Sequence, residues 1–416
     1  MQYTIRSPKK LDTIINLPAS KSISNRALVI HALSGGAIMP ENLSDCDDTE
    51  VIIKALHDMP DIIDIKAAGT AMRFMTAYLS VTEGTHVITG TERMKHRPIG
   101  ILVNALRYLG ADVEYVGEEG FPPLRISGGQ LQGGKLEIPG NVSSQYISAL
   151  LMVGPVMKQG LELRLTGNII SRPYIDLTLC TMRDFGAEVE WTADDTVKVL
   201  PGCYKQRKYL IENDWSAASY WYEAVALCDD ADAEVRLTGL HDGSLQGDSV
   251  VKYLFNMLGV KTVFEKDADG NVALVKLKKM HTHLPRLDYD FTNQPDMAQT
   301  FVTCCAAKGI PFKFTGLSTL KIKETDRIEA LKTEMRKLGY VIKDNNGNEL
   351  SWDGERCEPV ADAAIDTYED HRMAMSFAPL AFRHDGLKIN DPHVVSKSYP
   401  HFWTDMAKAG FAVEGL

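Results

Sequence analysis

Five short segments of this 416-residue chain repeat one piece of punctuation. They are Leu109-Gly110-Ala111-Asp112-Val113-Glu114-Tyr115, Phe185-Gly186-Ala187-Glu188-Val189-Glu190-Trp191, Leu258-Gly259-Val260-Lys261-Thr262-Val263-Phe264, Leu338-Gly339-Tyr340-Val341-Ile342 and Ala409-Gly410-Phe411-Ala412-Val413. Each reads as the end of a helix, a glycine suited to a left-handed cap, and a short strand. The glycines recur at intervals of 71 to 80 residues. A period this regular marks duplication of one supersecondary unit, too long for a solenoid repeat and suited to a small α/β module. A sixth, degenerate copy is expected near Leu56-His57-Asp58-Met59-Pro60, where a proline disrupts the pattern.

The helices before these glycines are legible. Residues 98–109 place Leu102, Ala105, Leu106 and Leu109 on one face, with Pro98 in the first turn. Residues 324–338 do the same with Ile328, Leu331, Met335 and Leu338. Strand-like runs such as Val87-Ile88-Thr89, Leu161 to Leu165 and Val235-Arg236-Leu237 lie between helices. The expectation is mixed α/β modules grouped into two domains.

Hydrophobic residues make up 44% of the chain and charged residues 24%, as in an ordinary globular protein. The net charge of −10 argues against nucleic acid or an anionic membrane as the main partner, so clustered cations must serve a local purpose. No apolar run is long enough to span a bilayer, and Met1 to Arg6 lacks the apolar core of a secretory signal. Seven cysteines, with no Cys-x-x-Cys pair, read as reduced thiols of a cytosolic protein, with neither disulfides nor a metal site.

Polar clusters open one helix after another. Ser20-Lys21-Ser22-Ile23-Ser24-Asn25-Arg26 precedes an apolar helix, where free N–H groups and the positive end of the dipole favour an anion. Gly69-Thr70-Ala71-Met72-Arg73, Arg93-Met94-Lys95-His96-Arg97-Pro98, Ser143-Ser144-Gln145 and Ser171-Arg172-Pro173-Tyr174 follow. So do Asn293-Gln294-Pro295-Asp296, Lys323-Glu324-Thr325-Asp326-Arg327, Asp370-His371-Arg372-Met373-Ala374 and Ser396-Lys397-Ser398. Taken singly, each has a plain reading as a cap, a turn or a solvated ion pair, such as Glu324 with Arg327 at i, i+3. Together they describe one site for a multiply anionic ligand, with phosphate and carboxylate groups that arginine grips bidentately. Asp296 and Glu324 are then the natural proton carriers. Walker, dinucleotide, nucleophile-elbow and metal-ligand motifs are all missing, which disfavours ATP, NAD, hydrolase and zinc chemistry; no cofactor is expected.

In this order, these segments make the chain resemble the 5-enolpyruvylshikimate-3-phosphate (EPSP) synthase family, the 3-phosphoshikimate 1-carboxyvinyltransferases. The likeness spans nearly the whole chain. It implies an α/β fold of two domains, an inside-out α/β barrel in which each domain holds three copies of a βαβαββ unit with helices inside and sheets outside. Residues 1–18 with 213–416 would form one domain and 19–212 the other, with the active site in the cleft between. The implied reaction moves the enolpyruvyl group of phosphoenolpyruvate onto the 5-hydroxyl of shikimate-3-phosphate by addition and elimination, releasing phosphate. By motif, Lys21, Ser22, Arg26, Ser143, Ser144, Ser171, Asp296 and Lys323 would hold shikimate-3-phosphate. Lys21, Gly69, Arg97, Gln145, Arg327, Arg372 and Lys397 would hold phosphoenolpyruvate. Asp296, Glu324 and Lys21 would be catalytic. The implied enzyme is a cytoplasmic monomer of aromatic amino acid biosynthesis and a target of glyphosate.

Three features depart from the family pattern. Lys66-Ala67-Ala68 precedes Gly69 where the family usually has Asn-Ala, or serine or asparagine after a glycine, so an amide contact is expected to be missing. The segment from Asp45 to Gly69 is shorter than usual, so the first repeat is expected to be trimmed. Phe74 stands where many members have proline or leucine beneath the phosphoenolpyruvate pocket, and altered glyphosate sensitivity is expected from it. Two other readings compete: an enolpyruvyl transferase acting on a UDP-amino sugar, and a non-catalytic phosphometabolite-binding protein. The Ser-Lys-Ser and Lys-Glu-Thr-Asp-Arg motifs weigh against the first, and the joint presence of Lys21, Asp296 and Glu324 weighs against the second.

Overall fold

The computed structural model describes residues 1–416. The chain divides into two compact units, a terminal unit of Met1–Pro18 with Glu212–Leu416 and an inserted unit of Ala19–Ile211.

The terminal unit holds three four-stranded sheets built to one plan. Across the first lie Asp12–Asn16, Glu234–Thr238, Val272–Lys279 and Val260–Lys266. Across the second lie Leu287–Asp290, Phe312–Thr315, Glu349–Trp352 and Lys343–Asn345. Across the third lie Ala364–Ile365, Leu387–Asn390, Gln2–Arg6 and Ala412–Glu414. In each, the first two strands are parallel and the remaining pairings antiparallel. A parallel pair needs a crossover, and each crossover here contains a helix: Trp215–Leu227, Ala298–Lys308 and His371–Phe377. A second helix then leads to the hairpin, giving βαβαββ. In the third copy the last strand of the unit is supplied by the N-terminus of the chain.

The inserted unit holds two more copies. Their sheets run Ile62–Asp64, Gly84–Thr89, Leu124–Gly128, Asp112–Tyr115 and Gly134–Pro139, Leu161–Thr166, Thr196–Val199, Val189–Ala193. The five repeat glycines all sit where expected, between the second helix and the third strand of a copy. Their φ values of 83° to 103° explain why glycine stands there.

The sixth copy has kept its helices, Lys21–Leu33 and Asp47–Asp58, and lost its hairpin. Its strands are reduced to one parallel bridge between Glu41 and Leu210. The second helix ends on Met59, left-handed at φ 39° without a glycine. Only Pro60 and Asp61 then separate it from the first strand of the next copy, too few residues to form two strands. The remaining edge is blunted, because Pro40 has no N–H to offer and Asn42, at φ 58°, turns the chain away.

The first helix of each complete copy is buried almost all round, from Gly69–Val81 through Ser144–Val153, Trp215–Leu227 and Ala298–Lys308 to His371–Phe377. A helix apolar on every face has to be covered on every face. The second helices are two-faced, as in Gly100–Tyr108, which buries Leu102, Val103, Ala105 and Leu106.

Several helix starts differ from the expectation. Pro98 is not in a first turn. Residues Glu92–Lys95 form a short helix of their own, capped by Thr91, and the N–H of Ile99 turns to the carbonyl of Gly120 at 2.9 Å, so the next helix begins at Gly100. The expected helix over 324–338 is Arg327–Lys337, because Asp326 caps it by accepting from the N–H groups of Ile328 and Glu329. Asp296 lies in a 3₁₀ turn, Pro295–Met297, that leads into Ala298–Lys308.

The C-terminal carbonyls of helix Trp215–Leu227 are closed by lysine. Lys279 Nζ donates to the carbonyls of Val225, Ala226 and Cys228 at 3.3, 2.8 and 2.6 Å, and Lys308 Nζ reaches Ala226 at 3.1 Å. Lys279→Met leaves these carbonyls short of a donor and is expected to cost about 1–3 kcal/mol, read as a lowered urea midpoint.

Candidate active site

In the inserted unit, the polar helix starts gather around two arginines and a glycine. Ser20 caps helix Lys21–Leu33 through the N–H of Ile23, which leaves Lys21 and Ser22 in its first turn. Lys21 Nζ pairs with Asp48 at 3.3 Å. Arg26, one turn on, is 3% exposed and its guanidinium lies 5.4 Å from the centre of the Phe74 ring. It donates to Thr178 Oγ1 (2.7 Å), the Ser22 carbonyl (2.8 Å), Ser148 Oγ (3.1 Å) and the Tyr174 carbonyl (3.3 Å). Burial lowers its pKa to about 10, so it remains a cation at neutral pH, tied to neutral acceptors. Those bonds join three helices, Lys21–Leu33, Ser144–Val153 and Arg172–Asp184.

Gly69 opens helix Gly69–Val81. A Cβ placed there would fall 2.6 Å from Nη1 of Arg97, so only glycine lets that guanidinium rest on the backbone. Arg73 donates to the carbonyls of Gly69 (3.0 Å) and Pro98 (3.1 Å), holding the two sides of this contact together. Gln145 Nε2 bonds Thr70 Oγ1 at 3.0 Å, and Ser143 caps its helix through the N–H of Gln145. Ser144 is the first residue of that helix. Ser171 precedes Arg172–Asp184 in a left-handed conformation (φ 55°) and makes no side-chain cap bond. Its neighbour Arg172 turns away, stacked on Trp191 at 4.1 Å and bonded to the Asp194 carbonyl.

In the terminal unit, one buried arginine organises the site. Arg327 is 1% exposed. Its Nε and Nη2 donate to Asp370 at 2.7 and 3.3 Å, Nη1 donates to Asp296 at 2.8 Å, and Nη2 also donates to Glu324 at 2.9 Å. Lys323 approaches Asp296 at 3.2 Å and Arg372 approaches it at 3.6 Å. Three cations and three carboxylates thus cancel in one cluster. Arg372 Nη1 also makes a long contact, 3.5 Å, to the hydroxyl of Tyr220 on helix Trp215–Leu227. Burial and then the neighbouring charges set the Tyr220 pKa at about 12, so it is a neutral donor or acceptor. Lys397 Nζ lies 3.4 Å from the carbonyl of Glu369.

The electrostatics follow from this arrangement. Burial alone would push the Asp296 carboxyl up, but Lys323, Arg372 and Arg327 together hold it well below the usual carboxylate range. Burial likewise works against charge on Arg327, and Asp370, Glu324 and Asp296 more than offset it.

The structure therefore brings together Asp296, Lys323, Glu324, Arg327 and Arg372 in the terminal unit, with Lys397 against the turn that carries Asp370. In the inserted unit it joins Ser22, Arg26 and the 144–153 helix, and separately Gly69 with Arg97 and Gln145 with Thr70. Asp48, Ser148, Thr178, Tyr220 and the role of Asp370 are not marked by the sequence motifs. The Asp45-Cys46-Asp47-Asp48 run offered a signal for the first; nothing in the spacing of Ser148, Thr178 or Tyr220 marks them out.

The same fold is found in solved enolpyruvyl transferases. The enolpyruvyl transferase NikO from Streptomyces tendae superposes with a TM-score of 0.75 at 14% identity, over 99% of this chain and 98% of that one. The EPSP synthase from Acinetobacter baumannii superposes with a TM-score of 0.78 at 23% identity, over 99% of both chains. The family model for EPSP synthase (3-phosphoshikimate 1-carboxyvinyltransferase) matches residues 5–60 and 57–406, and the chain belongs to that family. A 3-phosphoshikimate 1-carboxyvinyltransferase of Bacteroides fragilis is 59% identical over 414 residues, 100% of this chain and 99% of that protein. The corresponding enzyme of Shewanella halifaxensis is 36% identical over 433 residues, 97% of this chain and 98% of its own. No helix of this chain is long and apolar enough to cross a membrane.

The depressed Asp296 pKa has a pH signature. A carboxyl held low in the folded state stabilises above its unfolded value, about 3.9, and that contribution is lost as pH falls through the folded value. Asp296→Asn is expected to be less stable than the parent by about 1–3 kcal/mol at pH 7. The gap should hold steady to about pH 5 and shrink below about pH 4, measured by urea unfolding at each pH.

Proposed function

We propose that this chain transfers the enolpyruvyl group of phosphoenolpyruvate to the 5-hydroxyl of shikimate-3-phosphate, releasing phosphate. The observation that carries the reading is full-length 59% identity to a 3-phosphoshikimate 1-carboxyvinyltransferase, joined to a cation cluster that faces Asp296 and Glu324. Lys21, Ser22, Ser143, Ser144, Ser171, Lys323 and Asp296 hold shikimate-3-phosphate. Arg26 already serves four protein acceptors, so it frames Ser22 and has one N–H left to offer. Lys21, Gly69, Arg97, Gln145, Arg327, Arg372 and Lys397 hold phosphoenolpyruvate.

The chemistry proceeds in two steps. Glu324, once it has taken a proton from water, delivers that proton to the methylene carbon of phosphoenolpyruvate while the 5-hydroxyl oxygen bonds to C2 and Asp296 takes the hydroxyl proton. Glu324 then removes a proton from the new methyl group as the C2–O bond to phosphate breaks, with Lys21 beside the departing charge and the proton held by Asp296 passing to the phosphate. Asp296 is a weak base while three cations hold it. When those cations turn to the phosphate and carboxylate of the substrates, its basicity rises and it becomes competent for the 5-hydroxyl. A monomer acting in the cytosol fits this reading, since every proposed group lies in one chain and all seven cysteines are free.

The test is phosphate release from purified protein, with mass spectrometry of the product. Release is expected only when phosphoenolpyruvate and shikimate-3-phosphate are both present. Glu324→Gln and Asp296→Asn should each lower kcat by about 10²–10⁴-fold. Release with a UDP-amino sugar in place of shikimate-3-phosphate, or none with any acceptor, overturns the assignment.

A further inference from the structure

A single turn precedes the Asp370-His371-Arg372 segment, and its backbone is unusual. The N–H of Asp370 donates to the carbonyl of Thr367 at 2.8 Å, which closes a four-residue turn around Tyr368 and Glu369. Both central residues have positive φ, 53° and 55°. These are the signs of a type I′ turn, where asparagine and glycine are the ordinary occupants and a bulky residue such as tyrosine is an outlier. A turn of this kind relaxes unless its surroundings hold it.

The surroundings do hold it, from one helix. Glu334 lies within Arg327–Lys337 and is fully buried. Its Oε1 accepts from the Tyr368 hydroxyl at 2.6 Å, and its Oε2 accepts from the N–H of Asp366 at 3.0 Å. Lys337, on the same helix, pairs with Oε2 at 2.7 Å and with Asp366 at 2.8 Å, which keeps the buried carboxylate balanced. Arg327 opens that helix and grips the exit of the turn through Asp370. The helix therefore clasps the turn at both ends.

The exit of the turn sets three cations. Asp370 receives Arg327 and also caps the next helix through the N–H of Arg372, at 2.9 Å. The carbonyl of Glu369 receives Lys397. We propose that Tyr368 and Glu334 are positioning residues for the phosphoenolpyruvate reaction: their hydrogen bond holds the Thr367–Asp370 turn in its left-handed form and so fixes Arg327, Arg372 and Lys397. Neither residue touches a reacting atom. The inference rests on the assignment of those three cations to phosphoenolpyruvate.

The experiment compares the full-length parent, Tyr368→Phe and the double variant Tyr368→Phe/Glu369→Gly. Phosphate release is measured while each substrate is varied at saturating levels of the other, and the melting temperature is taken for each protein. Tyr368→Phe removes one hydroxyl and little volume. It is expected to raise KM for phosphoenolpyruvate by about tenfold, the loss of roughly one hydrogen bond, with KM for shikimate-3-phosphate within about twofold of the parent. Glycine at 369 accepts positive φ without strain and should restore most of the loss. Parent-like KM values in Tyr368→Phe overturn the proposal. So does an equal rise for both substrates with a lowered melting temperature that glycine does not rescue, since the clasp would then be structural only. A parent protein that releases no phosphate overturns the functional assignment itself, and the positioning role with it.

Discussion

The terminal unit's site depends on a buried arginine that has no access to water and is matched by carboxylates on three segments. Arg327 is tied to Asp296, Glu324 and Asp370, and Lys323 and Arg372 complete a cluster whose charges cancel. Desolvating so many ions is expensive, and it is tolerated because each finds an opposite charge within ion-pair distance. The same balance prepares the site for an anion. In the proposed reaction, a phosphate or carboxylate that displaces one of the protein's own carboxylates would change few contacts and strip Asp296 of the cations that keep it a weak base. Structural and chemical roles thus fall to the same atoms.

The repeat explains why such groups meet. The first helix of each complete copy is buried and its N-terminal N–H groups need partners, and the first turns are where polar side chains are tolerated. Duplication places these turns alike in every copy. The third copy of the terminal unit borrows its last strand from Gln2–Arg6, and the inserted unit interrupts the first copy between Asn16 and Trp215. The trimmed copy shows what the plan can lose. It lacks the hairpin yet keeps helix Lys21–Leu33, which carries Lys21, Ser22 and Arg26, and helix Asp47–Asp58, which carries the partner of Lys21.

Much of this was legible in the chain. The five glycines marked the copies because a left-handed cap leaves few alternatives to glycine, and Pro60 marked the broken one. Glu324 and Arg327 were readable as a pair from their spacing, and they lie 2.9 Å apart. Other features were hidden because they are properties of packing between distant segments. Asp370 and Arg327 are 43 residues apart in sequence, and Ser148 and Arg26 are 122 apart, so no local pattern links them. Helix starts were misplaced where a cap or a tertiary bond overrode periodicity: at Ile99, whose N–H turns to Gly120, and at Asp326. The two left-handed residues Tyr368 and Glu369 had no signature at all, since neither type announces positive φ.

In the proposed reaction, ligand anions and the protein's carboxylates compete for the same cations. This competition is tested most directly by following the carboxyl carbon of Asp296 by NMR across pH. The titration is recorded for the free protein and for protein saturated with shikimate-3-phosphate and inorganic phosphate, the released product, which cannot react. The midpoint for Asp296 is expected to move up on loading, as Lys323, Arg327 and Arg372 turn to the ligands. A midpoint that stays where it was, with both ligands bound, would contradict it.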